Sequence, residues 1–199
     1  MEIIFVRHGR TDWNGVYYQG LCPEPLNSRG VQEAKELTKK IQDLPIDCIW
    51  SSDVVRAVQT AQYIGKVFEK KVETKEFLRE FDLGKWEGLT FDEIDLKWPG
   101  AMMDFYEHPE KIAFPQGENW KQIQKRVELG VEILQNIPEG QHWLWVSHEG
   151  YLRMLLTALG VVNKKEWSLA CGEFIRLKRK KDCWQIDLSR ATEGVSYDG

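Results

Sequence analysis

Short apolar runs alternate with amphipathic segments along most of the chain. Three mainly apolar runs, 3–6, 46–50 and 143–146, have the length of buried strands, and the segment 71–74 is a candidate for a further strand between the second and the last of them. The segments between them place apolar residues every three or four positions, which is typical of helices that cover a sheet. Two later runs, 174–177 and 184–188, indicate a closing pair of strands joined by a basic turn. This alternation predicts an α/β fold, a three-layer α/β/α sandwich on a mostly parallel central sheet.

Four helices are predicted between these strands. We expect Ser28 to cap the first and Asp53 to cap the second. The third is predicted from about 118 to 135, and the fourth from about 149 to 160. The segment from about 90 to 120 is an insertion rich in aromatic residues. It is interpreted as a small helical cap packed on the core, with a lid that contacts the substrate as the alternative.

Composition limits the classes of partner. The chain has 199 residues and a net charge of −4, which favours one domain over residues 1–199 and argues against nucleic acid as a partner. The basic run 176–181 is interpreted as a solvated hairpin turn. No run has the length of a membrane span or the pattern of a signal peptide. The cysteines lack metal-binding spacing, so free thiols in the cytoplasm are expected.

Charged and imidazole side chains follow three of the predicted strands. Arg7 and His8 follow the first, Arg56 lies shortly after the second, and His148 follows the fourth. In open α/β sheets, ligands bind beyond the carboxyl ends of the strands. The two histidines and two arginines are therefore expected to converge on one edge of the sheet, although they lie far apart in sequence.

These residue types suit phosphoryl transfer. The planar guanidinium groups of Arg7 and Arg56 can each hold two phosphoryl oxygens. A neutral imidazole on His8 can act as the nucleophile, and His148 can donate to the transferring oxygens as imidazolium. The N-termini of the second and fourth predicted helices add backbone N–H groups. The leaving alkoxide needs a proton, so a carboxylic acid is expected at the mouth of the site.

The segment Arg7-His8-Gly9-Arg10-Thr11-Asp12-Trp13-Asn14 resembles the signature of the histidine phosphatase superfamily, the phosphoglycerate-mutase-like enzymes. The resemblance covers roughly residues 1 to 160 and implies the phosphoglycerate-mutase-like sandwich. Further blocks match that family in the expected order: Gln19-Gly20, Pro25 to Gly30, Ser51 to Ala61, Leu78-Arg79-Glu80, Gly84 to Gly88, Gly117-Glu118 and Val146 to Gly150. So many ordered blocks make a chance match improbable.

The resemblance also implies a role for each matching residue. His8 is the nucleophile that becomes phosphorylated, while Arg7, Arg56 and His148 hold the phosphoryl oxygens. Glu80 protonates the leaving alcohol and then helps to activate water. No metal or organic cofactor is implied. Substrate-binding residues implied on the same basis are Asn14, Gln19 and Gly20.

Two positions depart from the family pattern and are counted among the substrate-binding candidates. Arg10 stands where many relatives carry glutamate, and it either adds positive potential at the pocket rim or points to solvent. Glu149 stands where many relatives carry glycine. Glutamate is favourable at a helix start. If Glu149 instead faces the pocket, it is expected to weaken anion binding and to raise the pKa of His148.

Some assignments keep alternatives. Nearby carboxylates that could replace Glu80 as the acid are Glu76, Asp82 and Glu87. Two histidines, His108 and His142, belong to no block and are interpreted as surface or loop residues. The partner implied is a small phosphorylated metabolite, and both a monomer and a homodimer are open.

The function expected is a phosphatase for small phosphomonoesters, with α-ribazole phosphate and phosphoserine as candidate substrates. A phosphoglycerate mutase is the first alternative. Only Lys97, His108 and Lys111 are basic between positions 90 and 116, which gives little to hold a second acidic group. A catalytically inactive module that binds phosphorylated ligands is the second alternative. It is disfavoured because every expected catalytic residue is present.

Overall fold

The computed structural model describes residues 1–111, 113–163, 167–181 and 183–187. Within these ranges one six-stranded sheet has the order β3-β2-β4-β1-β5-β6. Its strands are β1 Glu2–Arg7, β2 Cys48–Ser51, β3 Val72–Thr74, β4 His142–Ser147, β5 Phe174–Lys180 and β6 Cys183–Ile186.

The sheet is parallel over four strands and antiparallel at one edge. Strands β3, β2, β4 and β1 run parallel, whereas β5 pairs antiparallel with both β1 and β6. Strand β1 lies between β4 and β5, and its residues 3–6 are almost completely buried because both faces of the sheet are covered. The prediction of a mostly parallel sheet is confirmed.

Helices cover both faces of this sheet, which confirms the three-layer sandwich. Alternate side chains of a strand point to opposite faces. Accordingly Ile4 and Val6 pack in a core with residues of the first two helices, and Ile3 and Phe5 pack with residues of the last two. The six helices of the described residues are α1 Ser28–Ile41, α2 Val55–Phe68, α3 Phe91–Lys97, α4 Ala101–Glu107, α5 Trp120–Gln135 and α6 Glu149–Ala158.

The 90–120 segment contains α3 and α4. Thr90 caps α3 in a reciprocal capping box with Glu93. Ile94 and Met102 are buried in the same core as α5 and α6. The side chain of Phe105 lies against Trp86, with ring centroids 6.0 Å apart. The two helices therefore pack onto the sandwich through apolar contacts.

Both predicted N-caps are wrong. Helix α1 is capped by Asn27, whose Oδ1 accepts a hydrogen bond from Gly30 N at 2.9 Å. Asn27 has the extended backbone of a cap, whereas Ser28 is already the first helical residue. Helix α2 begins at Val55 without a side-chain cap. The Asp53 carboxylate binds the Arg79 guanidinium instead, because a charged partner outcompetes backbone amides.

The basic run is a strand rather than a turn. Residues 176–180 belong to β5, and the guanidinium of Arg176 and the ammonium of Lys178 both contact the carboxylate of Glu2, at 2.5 and 3.2 Å. Side chains two positions apart share one face of a strand, so one carboxylate can serve both. Strand β6 ends at Ile186, and the predicted continuation to Leu188 lies outside the described residues.

No helix in the described ranges combines the length and the apolar character that crossing a membrane requires.

Candidate active site

His8 is buried directly beyond the end of β1, and its two ring nitrogens have different partners. Nδ1 lies 2.8 Å from the carbonyl oxygen of Gly9, and Nε2 lies 3.2 Å from Nε of Arg56. A carbonyl only accepts and a guanidinium only donates. We therefore assign the proton to Nδ1 and a lone pair to Nε2. Burial, and then the charges of Arg56 and Arg7, hold the pKa of His8 well below its usual value, so the ring is neutral.

Close backbone approach fixes the loop that carries His8. Gly9 N donates to Oγ1 of Thr60 at 3.0 Å. A side chain at position 9 would place its Cβ 2.5 Å from the carbonyl oxygen of Gly30, at the start of α1. Glycine at this position therefore lets the loop pack directly on α1.

The guanidinium of Arg56 is buried and held from both sides. Its Nη2 donates to the carbonyl of Gly20 at 2.7 Å, and its Nη1 donates to that of Cys22 at 3.1 Å. Burial lowers its pKa to about 10, which still leaves the group charged at neutral pH. Arg7, at the end of β1, donates to the carbonyl of Leu169 at 2.7 Å. The two cations flank His8, as the sequence predicted.

His148 lies at the N-terminus of α6, with its ring centroid 5.0 Å from that of His8. Its Nε2 is 2.9 Å from Oγ of Ser52, and Ser52 Oγ itself accepts from Val54 N at 3.2 Å. With that amide as its donor, the hydroxyl can give its own proton to Nε2, which places the ring proton on Nδ1. His148 Nδ1 is buried without a partner among the described residues.

The surroundings of His148 favour a neutral ring over the imidazolium that was expected from the sequence during phosphoryl transfer. Burial, and then the positive charge of Arg56, keep the pKa of His148 well below its usual value. The ring is therefore neutral rather than an imidazolium. A neutral ring with its proton on Nδ1 still offers one N–H donor, so the predicted donor role survives in a different chemical form.

The Glu80 carboxylate is fixed by backbone amides at the start of α6. Its Oε1 accepts from Phe81 N at 3.0 Å and from Tyr151 N at 3.1 Å, and its Oε2 accepts from Gly150 N at 3.1 Å. A Cβ at position 150 would lie 2.5 Å from Glu80 Oε1, so glycine makes room for the carboxylate. The α6 amides that were predicted to face the phosphate thus hold Glu80 instead.

An arginine that the sequence interpretation missed holds the loop carrying Glu80. Arg126 of α5 donates through Nη1 to the carbonyls of Phe77 and Arg79, at 3.0 and 2.8 Å, and through Nη2 to that of Glu80 at 3.1 Å. The same guanidinium forms two hydrogen bonds of 2.8 Å with the Glu118 carboxylate. Glu118, whose side chain pairs with Arg126, belonged to a recognised block and was the side-chain signal that pointed here.

These groups surround a cavity of about 430 Å³. Glu80 lines it, whereas the alternative acids Glu76, Asp82 and Glu87 do not. Glu87, for example, accepts from Leu21 N at 2.7 Å. His148 is buried behind this surface. The predicted site residues that line the cavity are Arg7, His8, Asn14, Gln19, Gly20, Arg56, Glu80 and Glu149.

Thr11 orients the side chains of both Asn14 and Gln19. Oδ1 of Asn14 accepts from Thr11 N at 2.7 Å, and Oε1 of Gln19 accepts from the Thr11 hydroxyl at 3.0 Å. Because Thr11 is bound to the carbonyl oxygen of each amide, the NH₂ groups are the atoms of these side chains that can donate to an anion.

Arg10 does not line the cavity, which corrects its assignment as a substrate-binding candidate. Its backbone N and its Nε donate to the carboxylate oxygens of Glu33 on α1, at 2.8 and 3.1 Å. Of the two remaining histidines, His108 pairs with Glu110 at 3.5 Å and His142 with Asp47 at 3.3 Å. Neither lines the cavity. His108 is exposed just after α4, as its interpretation as a surface or loop residue expects, whereas His142 is a partly buried residue of strand β4.

Glu149 does face the cavity, the alternative that the sequence left open. Its Oε2 lies 2.6 Å from Nη1 of Arg7, and its Oε1 lies 2.6 Å from Nη2 of Arg153. The expected rise in the pKa of His148 is wrong, because two guanidinium groups neutralise the Glu149 charge and burial lowers the pKa of the ring.

An α/β/α sandwich that gathers two arginines and two neutral imidazoles beyond its strand ends defines an enzyme class that acts on phosphoryl groups. The family model of the histidine phosphatase superfamily (branch 1) matches residues 3–192, and the chain belongs to that superfamily.

Relatives with known names agree with this membership. Phosphoserine phosphatase 1 of Hydrogenobacter thermophilus is 32% identical over 173 residues, covering 86% of this chain and 82% of that protein. A probable phosphoglycerate mutase GpmB of Proteus mirabilis is 31% identical over 81% of this chain and 76% of its own length. The structure of mycobacterial glucosyl-3-phosphoglycerate phosphatase in complex with VO3 has a TM-score of 0.82 at 28% identity, covering 96% of this chain and 99% of that one. The chain is accordingly a phosphoric monoester hydrolase.

Proposed function

We propose that this enzyme hydrolyses small phosphomonoesters through a phosphohistidine formed at Nε2 of His8. The observation that carries the proposal is the assignment of the His8 proton to Nδ1, which faces the Gly9 carbonyl at 2.8 Å. A buried neutral ring then presents the Nε2 lone pair beside Arg56. This is the form of histidine that can attack phosphorus.

In the first half-reaction, guanidinium N–H groups of Arg7 and Arg56 and the Nδ1–H of His148 hold the phosphoryl oxygens. Arg56 Nε turns from His8 to a phosphoryl oxygen, which frees the lone pair. Nε2 of His8 attacks phosphorus, the bond from phosphorus to the ester oxygen breaks, and the leaving alkoxide takes the proton of Glu80. The NH₂ groups of Asn14 and Gln19, in the loop that follows β1, donate to the bound anion.

In the second half-reaction, water attacks the phosphorus of phospho-His8. The Glu80 carboxylate accepts the proton of the water, the bond from phosphorus to nitrogen breaks, and inorganic phosphate leaves. Glu80 is then protonated for the next turnover. Neither step routes through a metal ion, so we expect the rate to be unchanged by EDTA.

Hydrolysis is favoured over the mutase reaction by the charges in the cavity. Among the residues that the structure describes, no lysine lines the cavity, and the one lining arginine besides Arg7 and Arg56 is Arg153, which is paired with Glu149. A mutase must retain a phosphorylated acid while the phosphoryl group moves, which requires cations for the second acidic group.

The test is to trap the intermediate. Enzyme mixed with a ³²P-labelled phosphomonoester and quenched in alkali should carry an acid-labile, base-stable label on the peptide that contains His8. His8→Asn should lose both the label and at least about 1,000-fold in kcat. His108→Asn is the matched control and should keep both.

Three results would count against the proposal. Turnover without label on His8 would exclude the intermediate, and loss of activity in EDTA would exclude a metal-independent reaction. Transfer of the label to a phosphoglycerate, without release of phosphate, would assign the chain to the mutases.

A further inference from the structure

Glu149 places a negative charge on the wall of the cavity, beside the groups proposed to hold the phosphate. Its side chain is 25% exposed and bridges Arg7 and Arg153 with two contacts of 2.6 Å. The bridge fixes the carboxylate, because each of its oxygens has a guanidinium partner. A substrate that enters the cavity therefore meets a fixed acid.

Each positive charge of the described cavity lining already has a partner, either the phosphoryl group in the proposed reaction or Glu149. Its cationic side chains are those of Arg7, Arg56 and Arg153, and its anionic ones are those of Glu80 and Glu149. In the proposed reaction, Arg7 and Arg56 serve the phosphoryl group. Arg153 is paired with Glu149 and lies at 31% exposure. The lining thus offers no uncommitted cation to a second acidic group on the substrate.

The outer part of the cavity is apolar. Five side chains, four of them aromatic, form what we call the aromatic wall: Val16, Tyr17, Phe91, Phe105 and Tyr106. Phe91 is 48% exposed and Tyr106 is 57% exposed, although both are large and mainly apolar. The hydroxyl groups of Tyr18 and Tyr106 lie 2.9 Å apart, which joins the first loop to α4 across the mouth. Exposed apolar side chains that line a cavity are typical of a binding surface.

Resting on the proposed phosphatase activity, we infer that the preferred substrate has an uncharged leaving group with an apolar body, and that Glu149 excludes leaving groups that carry an acid. A carboxylate on the leaving group would lie within several ångströms of Glu149 in a partly hydrated cavity. Because Glu149 already pairs with Arg7 and Arg153, an acid there finds no free cation and still lies close to a carboxylate, which should lower its binding by about tenfold relative to a neutral group. The aromatic wall selects in the same direction, because it offers apolar contacts to a neutral body and no counter-ion to an acid.

The charge is tested with two esters of the same shape. The two substrates are 3-carbamoylphenyl phosphate and 3-carboxyphenyl phosphate. Their ring substituents, a neutral amide and a carboxylate, differ in charge but hardly in size. We expect the wild-type enzyme to favour the amide by about tenfold or more in kcat/KM. Glu149→Gln should bring the ratio close to one, and Glu128→Gln, which removes an exposed acid of α5 outside the cavity, should leave it unchanged.

The ratio isolates specificity from damage to the site. Glu149 also holds Arg7, so Glu149→Gln will change the absolute rates, but such a change acts on both esters and cancels in the ratio. An unaltered ratio in Glu149→Gln, or a wild-type preference for the carboxylate, would overturn the inference while hydrolysis itself stands. If the wild-type enzyme hydrolyses neither ester and His8 takes no label, the proposed function fails instead.

The aromatic wall is tested with ethyl phosphate and 2-cyclohexylethyl phosphate, whose leaving alcohols have similar acidity. The larger ester should be favoured by about tenfold through burial of its ring. Phe91→Ser should reduce that preference several-fold. Leu96→Ser is the matched control, because Leu96 lies on the same helix, is 82% exposed and does not line the cavity. Equal effects of the two variants would remove the aromatic wall from the inference.

Discussion

Hydrogen-bond partners distinguish the individual polar atoms of the site from one another. Nδ1 of His8 faces a carbonyl, Nε2 of His148 faces a hydroxyl, and both carboxylate oxygens of Glu80 face amides. For each histidine, this contact leaves the other ring nitrogen for chemistry, Nε2 of His8 and Nδ1 of His148. The Nδ1 of His148 is buried without a partner in the described part of the chain, and in the proposed reaction a phosphoryl oxygen provides one. Binding the anion would therefore give this buried nitrogen a hydrogen-bond partner.

Glu80 is predicted to matter most for esters with poor leaving groups. Glu80→Gln cannot supply a proton, so kcat/KM for alkyl phosphates, which reports on the first half-reaction, should fall by about 100-fold or more. Esters of 4-nitrophenol should slow by less than about tenfold, because their leaving group departs as a stable anion. Steady-state rates across a series of leaving groups measure this dependence.

The matched control is Glu76→Gln, since Glu76 was an alternative acid but is exposed and does not line the cavity. It should alter neither class of ester. Equal slowing of alkyl and 4-nitrophenyl esters by Glu80→Gln would rule out Glu80 as the acid.

Secondary-structure elements decide how far the sequence could predict this site. The strand ends that carry Arg7, His8 and His148 were predictable, because short apolar runs and the polar residues after them are local patterns. The caps of α1 and α2 were not. Asn27 and Ser28 are adjacent residues that can both cap, and only the backbone conformation separates them.

Contacts between elements that are distant in sequence could not be predicted from local sequence patterns. Arg126 binds three main-chain carbonyls, and a carbonyl carries no information about residue type. The pair Arg7 and Glu149 joins positions 142 residues apart in sequence. Glu149 could be recognised as unusual from the sequence, but its partners required the folded chain.

Helix α5 is predicted to position the acid through Arg126. Arg126→Met removes the donors to the Glu80 loop and leaves Glu118 unpaired, so Glu80 should lose its alignment. We expect kcat/KM for alkyl phosphates to fall by about tenfold or more, with little change in kcat/KM for 4-nitrophenyl phosphate or in the inhibition constant of inorganic phosphate. That pattern separates a positioning role from a general loss of structure.

The neighbouring Lys125→Met is the control for this change, since Lys125 is exposed on the same helix. It should leave both esters unaffected. If Arg126→Met weakens phosphate binding and both esters in parallel, Arg126 acts only on the stability of the fold.

The stability of the whole molecule should depend on pH through its two buried imidazoles. The pKa values of His8 and His148 are lowered in the folded state, so between those values and about 6.5 the unfolded chain binds more protons. Stability from this source is therefore complete above about pH 6.5 and is lost as the pH falls below it. The slope approaches about 1.4 kcal/mol per pH unit for each ring.

Urea unfolding between pH 7.5 and 5, without phosphate, measures this slope. His8→Asn should reduce the slope by about half, whereas His108→Asn should not, because His108 is exposed. A slope that is the same in all three proteins would mean that the two imidazoles do not titrate as their burial requires.

The position of β1 in the sheet has a consequence for biosynthesis. This strand is synthesised before the other strands of the sheet. Its parallel neighbour, however, is β4, where Glu2 pairs with His142 and Arg7 with Ser147. At 5–20 residues per second, a ribosome needs roughly 7–28 s to make the intervening 140 residues. During that interval β1 is an apolar segment with neither neighbour available, because β5 follows later still. His8, at the end of β1, therefore cannot reach its folded position on the nascent chain until β4 has been translated.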